Sequence, residues 1–314
     1  MMDAQHSNVI SYGKARIPVY RVYAHPLVGV ETIPESRFSG RENILLAFEV
    51  DIEVFGNGFL PAYTQGDNTN VVATDSMKNF VLQQALAFEG STLEEFLVLL
   101  GQRFLQTYSQ IERLQLTIRD LPFTAVCVPQ REQASFGDSD RLFSRSHGDF
   151  SWASLEFARS GNAPLITSHR CGRLGFELFK VTGSAFSHFV RDQYTTLQER
   201  VDRPLFIALD VFWKYSDTAP LADAQHRDYV PAEQMRDLLQ CTFHDFVSES
   251  IQHLVHEMGQ RVLARFPQIA EVSFEAQNRT RDLIAVSSTD ERVKVYTDPF
   301  SAYGVIKLTL NREG

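Results

Sequence analysis

The residue types best suited to chemistry in the first half of the chain stand where a short apolar run meets a predicted helix. The run ends at Ala73, and Thr74 and Asp75 follow it directly. The first turn of a helix leaves backbone N–H groups without partners, and the helix dipole there favours negative charge. Such a helix start could hold an anion, although an ordinary helix cap has the same pattern.

Two further candidate stretches lie in the second half. Arg203 follows Asp202 just before a predicted strand, and Ile251 and Gln252 stand at the start of a predicted helix. Taken alone, the first pair is typical of a surface ion pair. The second is typical of an ordinary first helical turn.

We predict neither a metal site nor a nucleotide cofactor. His253, His256 and Glu257 lie within about one helical turn, but their spacing is not that of a zinc protease and no third ligand is evident. A solvated or partly buried helix face explains them better. A Gly-x-Gly-x-x-Gly motif or another phosphate-binding loop is also missing from the sequence.

The composition indicates a folded protein that binds neither nucleic acid nor membranes. The 314 residues are 44% hydrophobic and carry a formal net charge of −9, whereas phosphate backbones require basic surfaces. The chain has neither an apolar run near the ~18 residues of a membrane span nor a signal-peptide pattern at its N-terminus. Three widely spaced cysteines, Cys127, Cys171 and Cys241, predict buried reduced thiols and a cytoplasmic location.

One internal repeat divides the chain. Residues 101–103 (Gly-Gln-Arg) recur at 259–261, and residues 110–111 (Gln-Ile) recur at 268–269. Both matches have the same offset, 259 − 101 = 158 residues. Coincidence between two amphipathic helices is the alternative explanation. We place the two predicted domains at 1–140 and 141–314.

In each half the predicted elements follow the order strand, strand, helix, helix, strand. This order predicts the α+β fold class, with antiparallel sheets that carry helices on one face. Sheet faces left uncovered favour oligomerisation. The polar stretches 131–150 and 216–234 are predicted to be a linker and a long surface loop. Predicted strands lie at 14–23, 45–54, 114–118, 124–128, 174–181, 205–213, 272–274 and 304–310, and predicted helices begin near Met77 with Asp75 as cap, after a Thr92/Glu95 capping box, and after Ser250.

The stretch from Leu178 to Arg203 closely resembles the signature of urate oxidases (uricases). Residues 12–14 (Tyr-Gly-Lys) and 72–76 (Val-Ala-Thr-Asp-Ser) resemble two further motifs of that family, and the resemblance continues to residue 307. It therefore covers nearly the whole chain. The signature residues with the family spacing are Lys180, Ser184, Phe186, Phe189, Tyr194, Leu197 and Arg203.

The resemblance implies two tandem tunnelling-fold domains that assemble into a barrel-like homotetramer, with active sites at the subunit interfaces. It also implies cofactor-free oxidation of urate by molecular oxygen to 5-hydroxyisourate and hydrogen peroxide. Lys14 and Thr74 would then be the catalytic residues and would form a proton relay. The substrate-binding residues would be Thr74, Asp75, Phe186, Arg203, Ile251, Gln252 and Asn278.

The chemistry of urate explains why those residue types are needed. Urate is planar and anionic, so Phe186 would stack on it while Arg203 and Gln252 hold its edge. Ile251 would add a backbone amide, and Asn278 would lie over the ring where oxygen is held. The electron-rich urate dianion can pass an electron to oxygen directly, so the protein need supply only deprotonation, positioning and electrostatics.

One position departs from the family pattern. Many members have Asn-x-His where this chain has Asn278-Arg279-Thr280, so Thr280 replaces the usual relay histidine. Thr280 could hold a water molecule there, or Lys14 and Thr74 could form the relay alone. The alternative functions are a non-catalytic purine-binding oligomer of the same fold, and another tunnelling-fold enzyme acting on purines or pterins.

Overall fold

The computed structural model describes residues 10–130, 135–161, 163–298 and 301–312. Strands and α-helices are numbered separately along the chain. The strands are β1 (Ser11–Val22), β2 (Leu45–Phe55), β3 (Arg113–Asp120), β4 (Phe123–Pro129), β5 (Phe136–Arg145), β6 (Phe150–Ser160), β7 (Ala163–Lys180), β8 (Leu205–Tyr215), β9 (Ile269–Asn278), β10 (Asp282–Val286), β11 (Lys294–Thr297) and β12 (Gly304–Asn311). The helices are α1 (Leu60–Thr64), α2 (Thr74–Leu86), α3 (Leu93–Thr107), α4 (Ala232–Asp245) and α5 (Ile251–Arg265).

The chain folds into two compact units. In the first unit the strand order is β1-β2-β3-β6-β7, and in the second it is β7-β8-β9-β12, with residues of β7 in both. The pairs β1–β2, β2–β3, β3–β6, β8–β9 and β9–β12 are antiparallel, which confirms the α+β class with antiparallel sheets. The first unit is made of Met1–Glu31, Ser39–Cys171 and Asp217–Tyr229, and the second of Thr32–Phe38, Gly172–Ser216 and Val230–Gly314.

These units follow the density of contacts within the chain. They do not decide where one domain ends and the next begins. The division between residues 140 and 141 therefore stays a prediction.

The core of the first unit lies between its sheet and α3. Val50, Ile52 and Val54 alternate along β2 and are fully or almost fully buried, as expected for a strand with one covered face. Helix α3 packs on β3 and β6, and its Phe96 ring lies 5.0 Å from the ring of Phe48 on β2. Burying side chains of this size stabilises the unit by roughly 1.5–3 kcal/mol each.

The helices confirm the internal repeat. Helices α3 and α5 each contain 15 residues and begin 251 − 93 = 158 positions apart. Thr92 and Glu95 form the predicted capping box at α3, and the Ser250 hydroxyl accepts a hydrogen bond from the His253 N–H at α5. Each cap satisfies donors that the first helical turn leaves unpaired.

The helix C-termini repeat as well. One arginine in each unit donates to the carbonyl oxygens that end the helix and begin the next strand, which are acceptors that the helix cannot pair itself. The three acceptors of the first arginine and the three acceptors of the second correspond one to one, each 158 residues apart. Arg159 donates to Leu105, Tyr108 and Ile111, and Arg312 donates to Leu263, Phe266 and Ile269.

The start of α2 differs from the prediction. The helix begins at Thr74 rather than near Met77, and Ala73 occupies the cap position without a side-chain hydrogen bond. Asp75 therefore lies inside the first turn and does not cap the helix. Its carboxylate is instead paired with Lys78, one turn further along.

The two polar stretches also differ from the prediction. Residues 136–145 of the expected linker form β5, which pairs with β4 in a separate two-stranded sheet, while residues 131–134 lie outside the described residues. The expected surface loop at 216–234 is anchored by buried side chains, Leu221 and Tyr229 among them, and α4 begins within it at Ala232. A few apolar residues in a polar stretch are enough to fix a segment against a core.

Of the three cysteines, only the environment predicted for Cys171 is confirmed. Cys171 is fully buried, and burial raises the pKa of its thiol well above the usual value. Cys241 is partly exposed, and Cys127 is exposed because it lies on the β4–β5 hairpin. All three are free thiols.

Helices of the described residues are all too short or too polar to cross a bilayer. Within the same residues, His, Cys, Asp and Glu side chains do not gather in threes as a metal site requires. The absence of a metal and of a cofactor stays a prediction.

Candidate active site

In the first unit, β1 is tied to the segment that leads into α2. The Tyr12 hydroxyl accepts a hydrogen bond of 2.8 Å from the Val72 N–H, and the Tyr12 and Phe59 rings meet at right angles with centroids 4.9 Å apart. Lys14 lies two residues after Tyr12, and in a strand such residues share a face. Tyr12 thus ties the strand that carries Lys14 to the segment that delivers Thr74.

Lys14 stands where the regular β1–β2 ladder is interrupted. The register shifts between Lys14 and Ile17, and Arg16 adopts a φ of +57° in that interval. One residue earlier, a Cβ atom on Gly13 would overlap the carbonyl oxygen of Ile52. Only glycine lets the strands approach so closely directly before Lys14.

Helix α2 begins with Thr74, which is half-buried, and Asp75, which is exposed. The Asp75 carboxylate accepts from Lys78 at 2.5 Å and from Asn79 at 3.1 Å. The Lys78 contact holds the pKa of Asp75 below its usual value, and the charge of Lys14 adds to the effect. Asp75 therefore stays ionised and already has partners, whereas the helix start has no side-chain cap.

In the second unit, hydrogen bonds close a loop that brings Phe186 and Arg203 together. Phe186 and Arg200 exchange backbone hydrogen bonds of 2.8 and 2.9 Å, and the Arg203 N–H donates to the Ser184 carbonyl at 2.8 Å. The Arg203 guanidinium carbon lies 5.6 Å from the centroid of the Phe186 ring. One face of that ring is stacked on Phe189, with centroids 4.9 Å apart and planes 12° from parallel.

A cavity of about 130 Å³ lies beside this loop and is lined in part by Arg203, Asn278 and Thr280. Among the described residues, the Arg203 Nε and the Asn278 Oδ1 are buried and have no hydrogen-bond partner. Burial lowers the pKa of Arg203, and the nearby charge of Arg200 lowers it further. Arg203 and Asn278 both line the cavity and each has a buried polar atom without a partner, which favours a polar ligand because leaving such atoms unpaired is costly, and the arginine charge favours an anion.

Ile251 and Gln252 are positioned by the same loop but do not line that cavity. The Ala185 N–H donates to the Ser248 carbonyl at 2.7 Å, which fixes the residues just before α5 against the Phe186 segment. Ile251 is then buried and Gln252 exposed in the first turn of the helix. Backbone donors of that turn are available to a ligand.

The site residues thus form two clusters, one in each unit. Lys14, Thr74 and Asp75 lie around the start of α2 in the first unit. In the second unit Phe186 lies beside Arg203, and Asn278 lines the cavity with Arg203. Ile251 and Gln252 begin the helix that follows the hydrogen bond between Ala185 and Ser248.

Asp202 is the residue that sequence reasoning missed. The pattern suggested a surface ion pair with Arg203, but in the described chain its carboxylate accepts from the Thr182 hydroxyl and the Gly183 N–H instead. These partners are 20 and 19 residues away along the chain, so a local pattern does not reveal them.

Comparison with known proteins gives consistent matches. The sequence profile of the family described as Uricase matches residues 47–146 and 169–307, so Lys14 precedes its first matched residue. The Uricase of Haloferax volcanii is 43% identical over 303 residues, which cover 96% of this chain and 98% of that protein. The urate oxidase of Bacillus sp. TB-90 has a crystal structure that matches with a TM-score of 0.94 at 41% identity, covering 97% of this chain and 100% of that one.

A longer relative matches as well. The uric acid degradation bifunctional protein PucL of Bacillus subtilis is 43% identical over 311 residues, or 99% of this chain. The chain spans 63% of the length of that bifunctional protein.

Proposed function

This chain belongs to the uricase family of urate-oxidising enzymes, and we propose that it oxidises urate with molecular oxygen and water to 5-hydroxyisourate and hydrogen peroxide, without a cofactor. The observation that carries the proposal is that Arg203 and Asn278, whose Nε and Oδ1 atoms are buried and unpaired, line one cavity. Urate is a planar anion with both ring N–H groups and carbonyl oxygens. It can satisfy a guanidinium donor and an amide acceptor at once.

Phe186, Arg203 and Gln252 would hold the substrate from three sides. The purine stacks on the face of the Phe186 ring that Phe189 does not occupy, while Arg203 and Gln252 bind the edge of the purine. Ile251 contributes a backbone N–H of the first turn of α5. Asn278 offers its amide where oxygen and then water must be held, with Thr280 on the same cavity wall.

Lys14 and Thr74 would move the protons. A lysine can accept a proton only in its neutral form, and here it would draw one through the Thr74 hydroxyl from the substrate or a bound water. Thr74 and Asp75 also present backbone N–H groups at the uncapped start of α2. Asp75 acts through its backbone in this proposal, because Lys78 and Asn79 occupy its carboxylate.

Overall, two electrons pass from urate to oxygen, and water supplies the hydroxyl group of the product. To this reaction the protein contributes proton transfer, positioning and electrostatic stabilisation. Thr280 would hold the attacking water through its hydroxyl where many relatives have histidine.

We further propose two tandem tunnelling-fold domains in a barrel-like homotetramer, with Lys14 and Thr74 of one subunit facing Arg203 of another. Large apolar side chains that β10 and β11 expose support burial against a second copy. These side chains are Leu283, Ile284, Val286 and Val295. A cytoplasmic location stays a prediction.

Mixing two inactive variants tests the shared site. Lys14→Met and Arg203→Ala should each be nearly inactive. Mixed one to one, dissociated and reassembled, they should recover about a quarter of wild-type activity, because about one site in four then combines two intact halves. Activity that stays absent in verified mixed oligomers would show that each site is built within one subunit.

The specific alternative is a purine-binding oligomer that does not turn urate over, and the replacement of histidine by Thr280 is the observation that favours it. The loss of urate absorbance in air, measured beside the equilibrium binding of urate, separates the two. Binding without any loss of absorbance would establish the alternative.

A further inference from the structure

The neck of the loop that carries Phe186 comprises residues 182–186 and 200–203, and among the described residues it is closed by backbone atoms with one exception. Ser184 pairs with Arg203, and Phe186 pairs with Arg200, through main-chain hydrogen bonds. The exception is Asp202, whose Oδ2 accepts from the Thr182 hydroxyl and whose Oδ1 accepts from the Gly183 N–H, both at 2.8 Å.

The geometry around Asp202 is suited to holding residues 182 and 183 in place. Gly183 adopts a φ of +78°, a conformation that glycine accepts readily, and this lets its N–H meet the carboxylate. The Thr182 hydroxyl and the Gly183 N–H hold the pKa of Asp202 below its usual value, so the group stays charged. Charged acceptors make hydrogen bonds about twice as strong as neutral ones.

Asp202 also leaves Arg203 without a counter-ion. A carboxylate whose oxygens were free could form a charge-assisted hydrogen bond with a nearby guanidinium. Both Asp202 oxygens are committed to residues 182 and 183, so the Arg203 charge remains available to the cavity.

We propose that Asp202 is a positioning residue of the urate site: it clamps residues 182–183 to Arg203 and so fixes the guanidinium against the Phe186 ring. This inference rests on the proposed function. Asp202 also lines the cavity, but its two oxygens already accept hydrogen bonds from residues 182 and 183. It acts by setting the separation of Phe186 and Arg203, and it keeps Arg203 unpaired in the free protein.

Asp202→Ala should raise the dissociation constant of urate about tenfold, measured by anaerobic equilibrium dialysis. The Michaelis constant should rise in parallel, while kcat at saturating urate stays within about twofold because the Lys14–Thr74 cluster is untouched. Asp202→Asn keeps one acceptor oxygen, and Thr182→Val removes only one of the two bonds. Each should raise the dissociation constant about threefold.

Asp192→Ala is the matched control. The Asp192 carboxylate also accepts from one backbone N–H, that of Tyr194, and from one threonine hydroxyl, that of Thr195, both at 2.9 Å. Its partners are unrelated to the neck, so urate affinity should equal that of the wild type.

An unchanged dissociation constant in Asp202→Ala would overturn the proposal, and so would an equal rise in Asp192→Ala. A purely structural role would lower the active fraction and kcat, yet leave the affinity of the folded molecules unchanged. If Asp202→Ala does not fold, the urate dissociation constant of Thr182→Val is the test. A wild-type value in Thr182→Val would refute the proposed clamp. Failure of the wild type to bind or oxidise urate would refute the proposed function instead.

Discussion

Lys14→Met should lower kcat for urate oxidation by about three orders of magnitude and leave urate affinity within a few-fold. Proton transfer by a positioned side chain is worth about 10²–10⁴ in rate. The groups that we propose bind the purine, Phe186 and Arg203, are not touched by the change. Single-turnover oxidation and anaerobic urate binding, measured on the same preparation, separate the two effects.

Thr74→Ala should produce a similar loss of rate, and the double variant should be little worse than either single one. Residues that act as one proton path are strongly non-additive, because breaking any link removes the whole contribution. Additive losses would contradict a shared relay. Lys214→Met is the control for loss of a lysine charge, since Lys214 pairs with Glu271 on β9. It should keep wild-type rate and affinity.

Arg203→Ala should lose affinity and rate together, with the dissociation constant of urate rising on the order of a hundredfold. Removing one partner of a buried, hydrogen-bonded charge pair typically costs about 2–5 kcal/mol. In the free protein, however, the Arg203 Nε is buried without a partner and burial lowers the pKa of the group. The variant should therefore unfold at the same temperature as the wild type or higher, because a desolvation cost is removed.

Arg203→Lys should recover only part of the affinity, because an ammonium group lacks the planar fork of a guanidinium. Arg261→Ala controls for loss of an arginine elsewhere in the second unit, where Arg261 pairs with Glu257 along α5. Arg203→Ala could instead lose stability markedly without a change in urate affinity. That result would show that Arg203 has a structural role and does not bind the substrate.

The features predicted correctly from the sequence are those specified by nearby residues. The capping box of Thr92 and Glu95 lies within four residues, and the alternation along β2 requires only its own side chains. The repeat was visible because two helices of equal length kept the same offset. Strand β4 was predicted at 124–128, but its partner β5 was missed because a polar strand leaves no apolar pattern.

The features of the candidate site likewise divide into those that the sequence predicted and those that depend on distant residues. Motif resemblance indicated Phe186 and Arg203 as site residues. In the structure the Arg203 guanidinium carbon lies 5.6 Å from the centroid of the Phe186 ring. The partners of Asp202 could not be predicted, because Thr182 and Gly183 lie some 20 residues away along the chain. Likewise, the sequence suggested Asp75 as a helix cap, whereas Lys78 competes for its carboxylate one turn later.

The most direct test of cofactor-free urate oxidation is to measure urate, oxygen and hydrogen peroxide together in chelator-treated buffer. We expect one oxygen consumed and one peroxide released for each urate lost, at a rate that the chelator does not change. Tight urate binding without oxygen uptake would contradict the proposed oxidation. Activity that the chelator abolishes and an added metal ion restores would contradict its independence from a cofactor.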